Sequence, residues 1–165
     1  MRILALDQAS LKTGAAFFED TTLKGSTVLD YSKVKNAKLR NEKMVTEILE
    51  VIKELRPEVI VIEDVALQRN AAVLIMLARI QGAIIGYCFE NQVTNVIYKP
   101  SEWRKMLDFK QGSKMKRADL KKQAIQFVKE HYDLDASEDE ADAICIGCAF
   151  ACAQEAIKAV VDDGE

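Results

Sequence analysis

The sequence predicts a mixed α/β fold: three antiparallel strands, then parallel strands, with helices on both faces of one sheet. Three observations carry that prediction. The first thirty residues form short β-type runs separated by turns. Val59-Ile60-Val61-Ile62 is an apolar run of the kind found in strands buried on both faces. The later segments carry apolar residues mostly at helical spacing, with one more short strand pattern among them. The length of 165 residues suits a single domain over 1–165.

The elements follow in order. Arg2 to Asp7 is a strand that ends on a carboxylate. After a turn around Ser10, Thr13 to Phe18 reads as a second strand and Thr27 to Tyr31 as a third, together an antiparallel meander. Ala37 to Leu55 spaces Leu39, Met44, Val45, Ile48, Leu49, Ile52 and Leu55 as a helix does, and Pro57 stops it. The apolar strand then closes on Glu63-Asp64. Asn70 can cap a helix that reaches about Glu90 and is apolar nearly all round, from Val73 to Phe89. One face of it must lie on the sheet. The other is too apolar for water and predicts a homodimer interface around 71–90, burial within a monomer being the competing reading. Val93 to Tyr98 is the last strand, and Pro100 opens a helix containing Trp103 and Met106. Lys110 to Ser113 is a loop. Arg117 to His131 is a basic amphipathic helix with Leu120, Ala124, Ile125, Phe127 and Val128 inward. Ser137 and Glu140 form a capping-box pattern for a final helix running to about Val161.

Charge is unevenly spread. Lys99 to Lys129 holds ten basic residues against three acids, whereas Glu130 to the end holds eleven acids and one lysine. A basic segment can hold phosphates while an acidic one holds metal ions, although two solvated helix faces would look the same. The candidates for phosphate contact are Arg104, Lys105, Lys110, Lys114, Lys116, Arg117 and Lys121. Three of the four cysteines, Cys145, Cys148 and Cys152, share one face of the last helix. The only histidine, His131, precedes that helix, so they read as small buried side chains against the sheet rather than a zinc site. Met1 to Asp7 is too short an apolar run for a signal peptide, and the longest such run, Ala71 to Leu77, falls short of a membrane span. A soluble cytoplasmic protein with no membrane partner is therefore expected.

Carboxylates fall where buried elements end or begin. Asp7 closes the first strand, Glu63 closes the apolar strand, and Asp139 and Asp142 share a face in the first turns of the last helix. Like charges crowded in a half-buried cleft raise one another's pKa and destabilise the fold, and a divalent cation removes that problem. Hard oxygen ligands suit Mg²⁺ or Mn²⁺, and two such ions about 4 Å apart can drive in-line phosphodiester hydrolysis. Singly, each acid has a plainer reading. Asp7 can start a turn, Glu63 and Asp64 can be solvated strand ends, and Asp139 and Asp142 can complement the helix dipole.

At these motifs the sequence resembles the RuvC family of Holliday-junction resolvases, within the ribonuclease-H-like superfamily. Leu6-Asp7-Gln8-Ala9-Ser10-Leu11-Lys12-Thr13-Gly14 is similar to the family's opening, Val61-Ile62-Glu63-Asp64-Val65 through Arg69-Asn70 to its second acidic segment, and Asp139-Glu140-Ala141-Asp142-Ala143 to its closing block. Ala78 to Ile84 also looks like the family, so the resemblance covers essentially the whole chain. It implies that Asp7, Glu63, Asp139 and Asp142 are metal-binding catalytic acids, with two Mg²⁺ or Mn²⁺ ions per site. It implies a homodimer that nicks two strands of a four-way junction. Gly112-Ser113-Lys114-Met115-Lys116 is similar to a stretch with a catalytic-site lysine, which falls on Lys116, and Arg104 matches another basic position. Gln8-Ala9 replaces the bacterial Pro-Gly pair, and Ala66 stands where bacterial members commonly have an aromatic. The chain looks more like the bacteriophage branch, which implies the cytoplasm of a bacterial cell or of a phage host. Gln68 and Arg69 are the candidates for contacting DNA near the crossover. A broad nuclease for flaps and forks and a non-catalytic junction-binding protein are the competing functions. An actin-like ATPase is set aside for want of a second lobe and Gly-rich phosphate loops.

Overall fold

A computed structural model of the chain describes residues 1–66 and 70–162. The elements are β1 (Arg2–Asp7), β2 (Lys12–Glu19), β3 (Thr22–Asp30), α1 (Ala37–Leu55), β4 (Val59–Glu63), α2 (Ala71–Asn91), β5 (Thr94–Tyr98), α3 (Pro100–Met106), α4 (Arg117–Tyr132) and α5 (Glu138–Asp162). They build one five-stranded sheet in the order β3-β2-β1-β4-β5. β1 pairs with β2, and β2 with β3, antiparallel; β1 with β4, and β4 with β5, run parallel. This is the mixed sheet that the sequence predicts. β3 begins at Thr22 rather than Thr27, because an edge strand with mostly exposed residues needs no apolar alternation to announce it.

Each strand of the sheet's centre divides its side chains between two cores. Leu4, Leu6, Ile60 and Ile62 pack against Met44, Ile48 and Ile52 of α1 and Ile80 and Ile84 of α2. Ile3, Ala5, Val59 and Val61 meet Trp103 of α3, Ala124 and Val128 of α4 and Ile144 of α5 on the other face. Burying each large aliphatic chain contributes about 1.5–3 kcal/mol, so the central strands anchor the fold from both sides. The helix ends carry the expected signals. Asn36 Oδ1 accepts from the Leu39 N–H at 3.0 Å, Asn70 Oδ1 accepts from the Ala72 N–H at 2.9 Å, and Pro100 sits in the first turn of α3.

α5 lies across the sheet centre and α2 lies at its margin. Residues 141–151 of α5 are buried without a break. Gly147 permits that approach, since a Cβ there would stand 2.4 Å from the Phe18 ring. On α2 only Ile80, Ile84 and Cys88 are buried, while Ile75 is 49% and Phe89 75% exposed. By length and composition both helices could cross a bilayer, which the short run Ala71 to Leu77 did not suggest. The cysteine expectation needs one correction. Cys145 and Cys148 are buried, but Cys152 is exposed, because α5 runs past the sheet beyond Ala151.

Candidate active site

The parallel pairing of β1 with β4 sets Leu6 beside Ile62, so Asp7 and Glu63 leave the sheet at the same end. α5 brings the other two acids. A Cβ at Gly14 would lie 1.9 Å from the Asp139 carbonyl oxygen, so only glycine on β2 lets the first turn of α5 settle there. Asp7, Glu63, Asp139 and Asp142 consequently line one pocket of about 290 Å³ together with Arg104, Arg117 and Lys121. Three elements far apart in the chain supply the acids, and α3 and α4 supply the cations.

Buried and half-buried hydrogen bonds hold these groups in place. Trp103 Nε1 donates to Glu63 Oε2 at 2.8 Å, and Gln8 Nε2 donates to the Glu63 carbonyl oxygen. The Arg104 guanidinium stacks over the Trp103 ring at 4.7 Å, and its buried Nε has no hydrogen-bond partner among the described residues. Thr13 Oγ1 donates to the Ala9 carbonyl at 2.8 Å and accepts from the Ala9 N–H at 3.1 Å, closing the turn after Asp7. Lys121 Nζ pairs with Asp142 Oδ2 and stands 3.9 Å from Asp7 Oδ2.

Burial dominates the electrostatics. It pushes Asp7 up to about 8, with help from Glu63 and Asp142. It also raises Glu63, against the Trp103 hydrogen bond and Arg104, and raises Asp142 against Lys121. Burial opposes the charge on Lys121, yet Asp142, then Asp7 and Asp139, hold it above the ordinary lysine value. Burial thus disfavours negative charge on Asp7, Glu63 and Asp142 despite the cations beside them. The donor set, four hard oxygen side chains with one of them carrying a strongly raised pKa, fits a hard divalent cation. As the side chains lie, no three His, Cys, Asp or Glu groups among the described residues stand in ligand positions. The Lys121 ammonium occupies the space between Asp7 and Asp142.

The other predicted residues are distributed as follows. Lys105, Lys110 and Lys114 are exposed. Lys116 is exposed at the start of α4, its backbone N–H donating to Asp119 Oδ2 at 3.0 Å, and does not line the pocket. Lys121, another of the candidates for phosphate contact, is only 9% exposed and lines the acid pocket. Gln68 and Arg69 lie outside the described residues. Glu140 turns away, accepting from Ser26 Oγ at 2.7 Å, and Asp64 Oδ1 accepts from the Val65 N–H at 2.9 Å. The sequence reading missed Trp103 as the partner of Glu63. Its signal was a lone tryptophan, rarely buried without a partner for its N–H, placed beside a predicted site arginine.

The model of the family described as Crossover junction endodeoxyribonuclease RuvC matches residues 3–150. A Crossover junction endodeoxyribonuclease RuvC from Caldicellulosiruptor saccharolyticus is 26% identical over 105 residues, 61% of this chain and 63% of that protein, hence under two thirds of its length. The structure of T. thermophilus RuvC in complex with a Holliday junction substrate superposes with a TM-score of 0.70 at 20% identity, covering 90% of this chain and 92% of that one. Fowlpox virus resolvase, also solved with Holliday junction DNA, gives a TM-score of 0.65 at 17% identity over 93% of this chain and 99% of that one. Both structural likenesses show the ribonuclease-H-like fold.

Proposed function

The chain belongs to the RuvC family of crossover junction endodeoxyribonucleases, and from that premise we propose that it is a metal-dependent endonuclease resolving Holliday junctions by paired nicks. The observation that carries the reading is the convergence of Asp7, Glu63, Asp139 and Asp142 with Arg104, Arg117 and Lys121 in one pocket. The four acids are the groups that would hold Mg²⁺ or Mn²⁺, and such ions, two per site, supply an activated water and charge neutralisation at the leaving oxygen.

The chain's own side chains do the remaining work. Trp103 fixes one oxygen of Glu63, so that carboxylate keeps its place as DNA enters. Arg104, held over Trp103 and lining the pocket, is placed to stabilise charge that develops on a phosphate there. Arg117 adds a second cation from the start of α4. The exposed Lys105, Lys110, Lys114 and Lys116 extend this basic surface toward the DNA arms, and Gln68 and Arg69 belong to the same reading near the crossover. The exposed apolar face of α2, with Ile75 and Phe89, supports a homodimer, which would set two pockets against two strands. The cytoplasm, where such DNA lies, is the location this function implies.

The decisive experiment is cleavage mapping on an immobile four-way junction across a Mg²⁺ and Mn²⁺ titration. Symmetric, metal-dependent nicks in two strands of like polarity are expected. Binding without any cleavage at every metal concentration would leave only a junction-binding protein. Equal cutting of a fixed Y-fork would replace resolution by a broader branched-DNA activity.

A further inference from the structure

We propose that Lys121 is a resident counter-cation of the acid pocket, which a divalent ion must displace, so that this lysine sets how tightly the protein binds metal. The inference rests on the reading of Asp7, Glu63, Asp139 and Asp142 as ion ligands and extends it to a residue that none of the matched acidic motifs contains.

Three observations carry it. Lys121 is the only lysine or arginine in the buried class among the described residues, and it is buried at the pocket rather than in the general core. Its Nζ bonds Asp142 Oδ2 and reaches to 3.9 Å from Asp7 Oδ2, so it occupies oxygens that an ion would need. No set of three ligand side chains among the described residues is preassembled while it lies there. The local fold explains the placement. Lys121 shares the inward stripe of α4 with Ala124 and Val128, which forces its stem into the fold, and the stem's flexibility lets the ammonium reach the acids. Its charge relieves the repulsion among acids that would otherwise stand buried and unpaired.

A cation in the ligand field has two consequences. It holds the pocket together before metal arrives, and it lowers metal affinity, because the incoming ion must break the Asp142 contact and meet a like charge. Once displaced, the ammonium remains on the same helix as Arg117, one turn earlier on the same pocket wall. A phosphate there would give it a new partner.

The test is calorimetric titration of Mn²⁺ into the full-length protein, at one fixed pH and without DNA, comparing wild type with Lys121→Met and Lys121→Arg. Removing the resident charge should tighten Mn²⁺ binding about tenfold, while the arginine variant, which keeps the charge, should stay within about twofold of wild type. Unchanged affinity in Lys121→Met would overturn the proposal and leave the metal-site reading standing. Absence of Mn²⁺ binding in all three proteins would overturn both. Because Lys121→Met leaves buried acids without a partner and can fail to fold, a second measurement uses wild type alone. Acetylation of Lys121, followed by mass spectrometry, should rise severalfold when Mn²⁺ saturates the protein. Reactivity that stays flat at saturating Mn²⁺ would mean that the ion binds without moving the lysine, and would end the proposal.

Discussion

The acid pocket and the outer face of α2 invert the usual partition of a folded chain in opposite ways. The pocket takes charge inside: Asp142 is 3% and Lys121 9% exposed. The α2 face puts apolar surface outside, with Phe89 75% exposed and open space beyond the helix's own backbone at Gly82 and Gly86. Elsewhere the fold obeys the ordinary rule, with aliphatic strands buried from both sides. Departures of this kind are costly to stability and are kept for function. The comparison shows where the proposed function would draw on outside groups: a divalent cation among the buried acids, and a second apolar surface against α2.

The largest expected effect breaks the first half of that comparison. Asp7→Asn should lower the junction cleavage rate by at least about 10³-fold, while binding to the same junction, carried by phosphate contacts elsewhere, stays within about twofold. Cleavage at the wild-type rate would remove Asp7 from the site. The next tests the second half. Phe89→Glu places a charge on an exposed position of α2, so the monomer should keep its thermal stability while dimer affinity falls about 100-fold. Sedimentation at micromolar concentration reads this directly, and a wild-type protein that is already monomeric there would remove the interface.

A pH series sharpens the contrast, because the pocket holds the carboxyl group whose burial raises it to about 8. Asp7 in the fold holds its proton up to about 8, whereas in the unfolded chain it releases it near the ordinary aspartate value. The folded state therefore binds more protons between these limits. The contribution of Asp7 to metal-free stability should be fully present below about pH 4 and be lost as pH rises toward 8, by up to roughly 5 kcal/mol. Glu63 and Asp142, also raised, act in the same direction. Denaturant melts of wild type and Asp7→Asn check it: the variant should show a flatter profile and greater stability at pH 8. The smallest effect lies on the open surface. Neutralising Lys110 and Lys114 together should weaken junction binding modestly and reduce its salt slope by about 2; an unchanged slope would take the basic loop out of the interface.

Much of this was legible before any coordinates. Asp7 and Glu63 could be found because each closes an apolar strand, and Asp139 and Asp142 because an i, i+3 spacing puts both on one face of α5. The exposed face of α2 was legible from an apolar pattern that runs all round the helix. The burial of Lys121 went unread because a basic amphipathic helix reads as a solvated face, although its spacing from Ala124 and Val128 marks an inward position. The Trp103–Glu63 hydrogen bond links residues forty apart, and no local period encodes such a pair.

Local pattern thus determined which residues become strands and helices, which side of each faces inward, and which acids stand at the ends of elements, because those properties depend on neighbours a few positions away. Only the tertiary structure decided that β1 and β4 lie side by side, that Gly14 yields space to the first turn of α5, and that the cation among the acids is Lys121. Those outcomes depend on which surfaces meet across the sheet, and contacts between distant segments leave no spacing in the chain from which to read them.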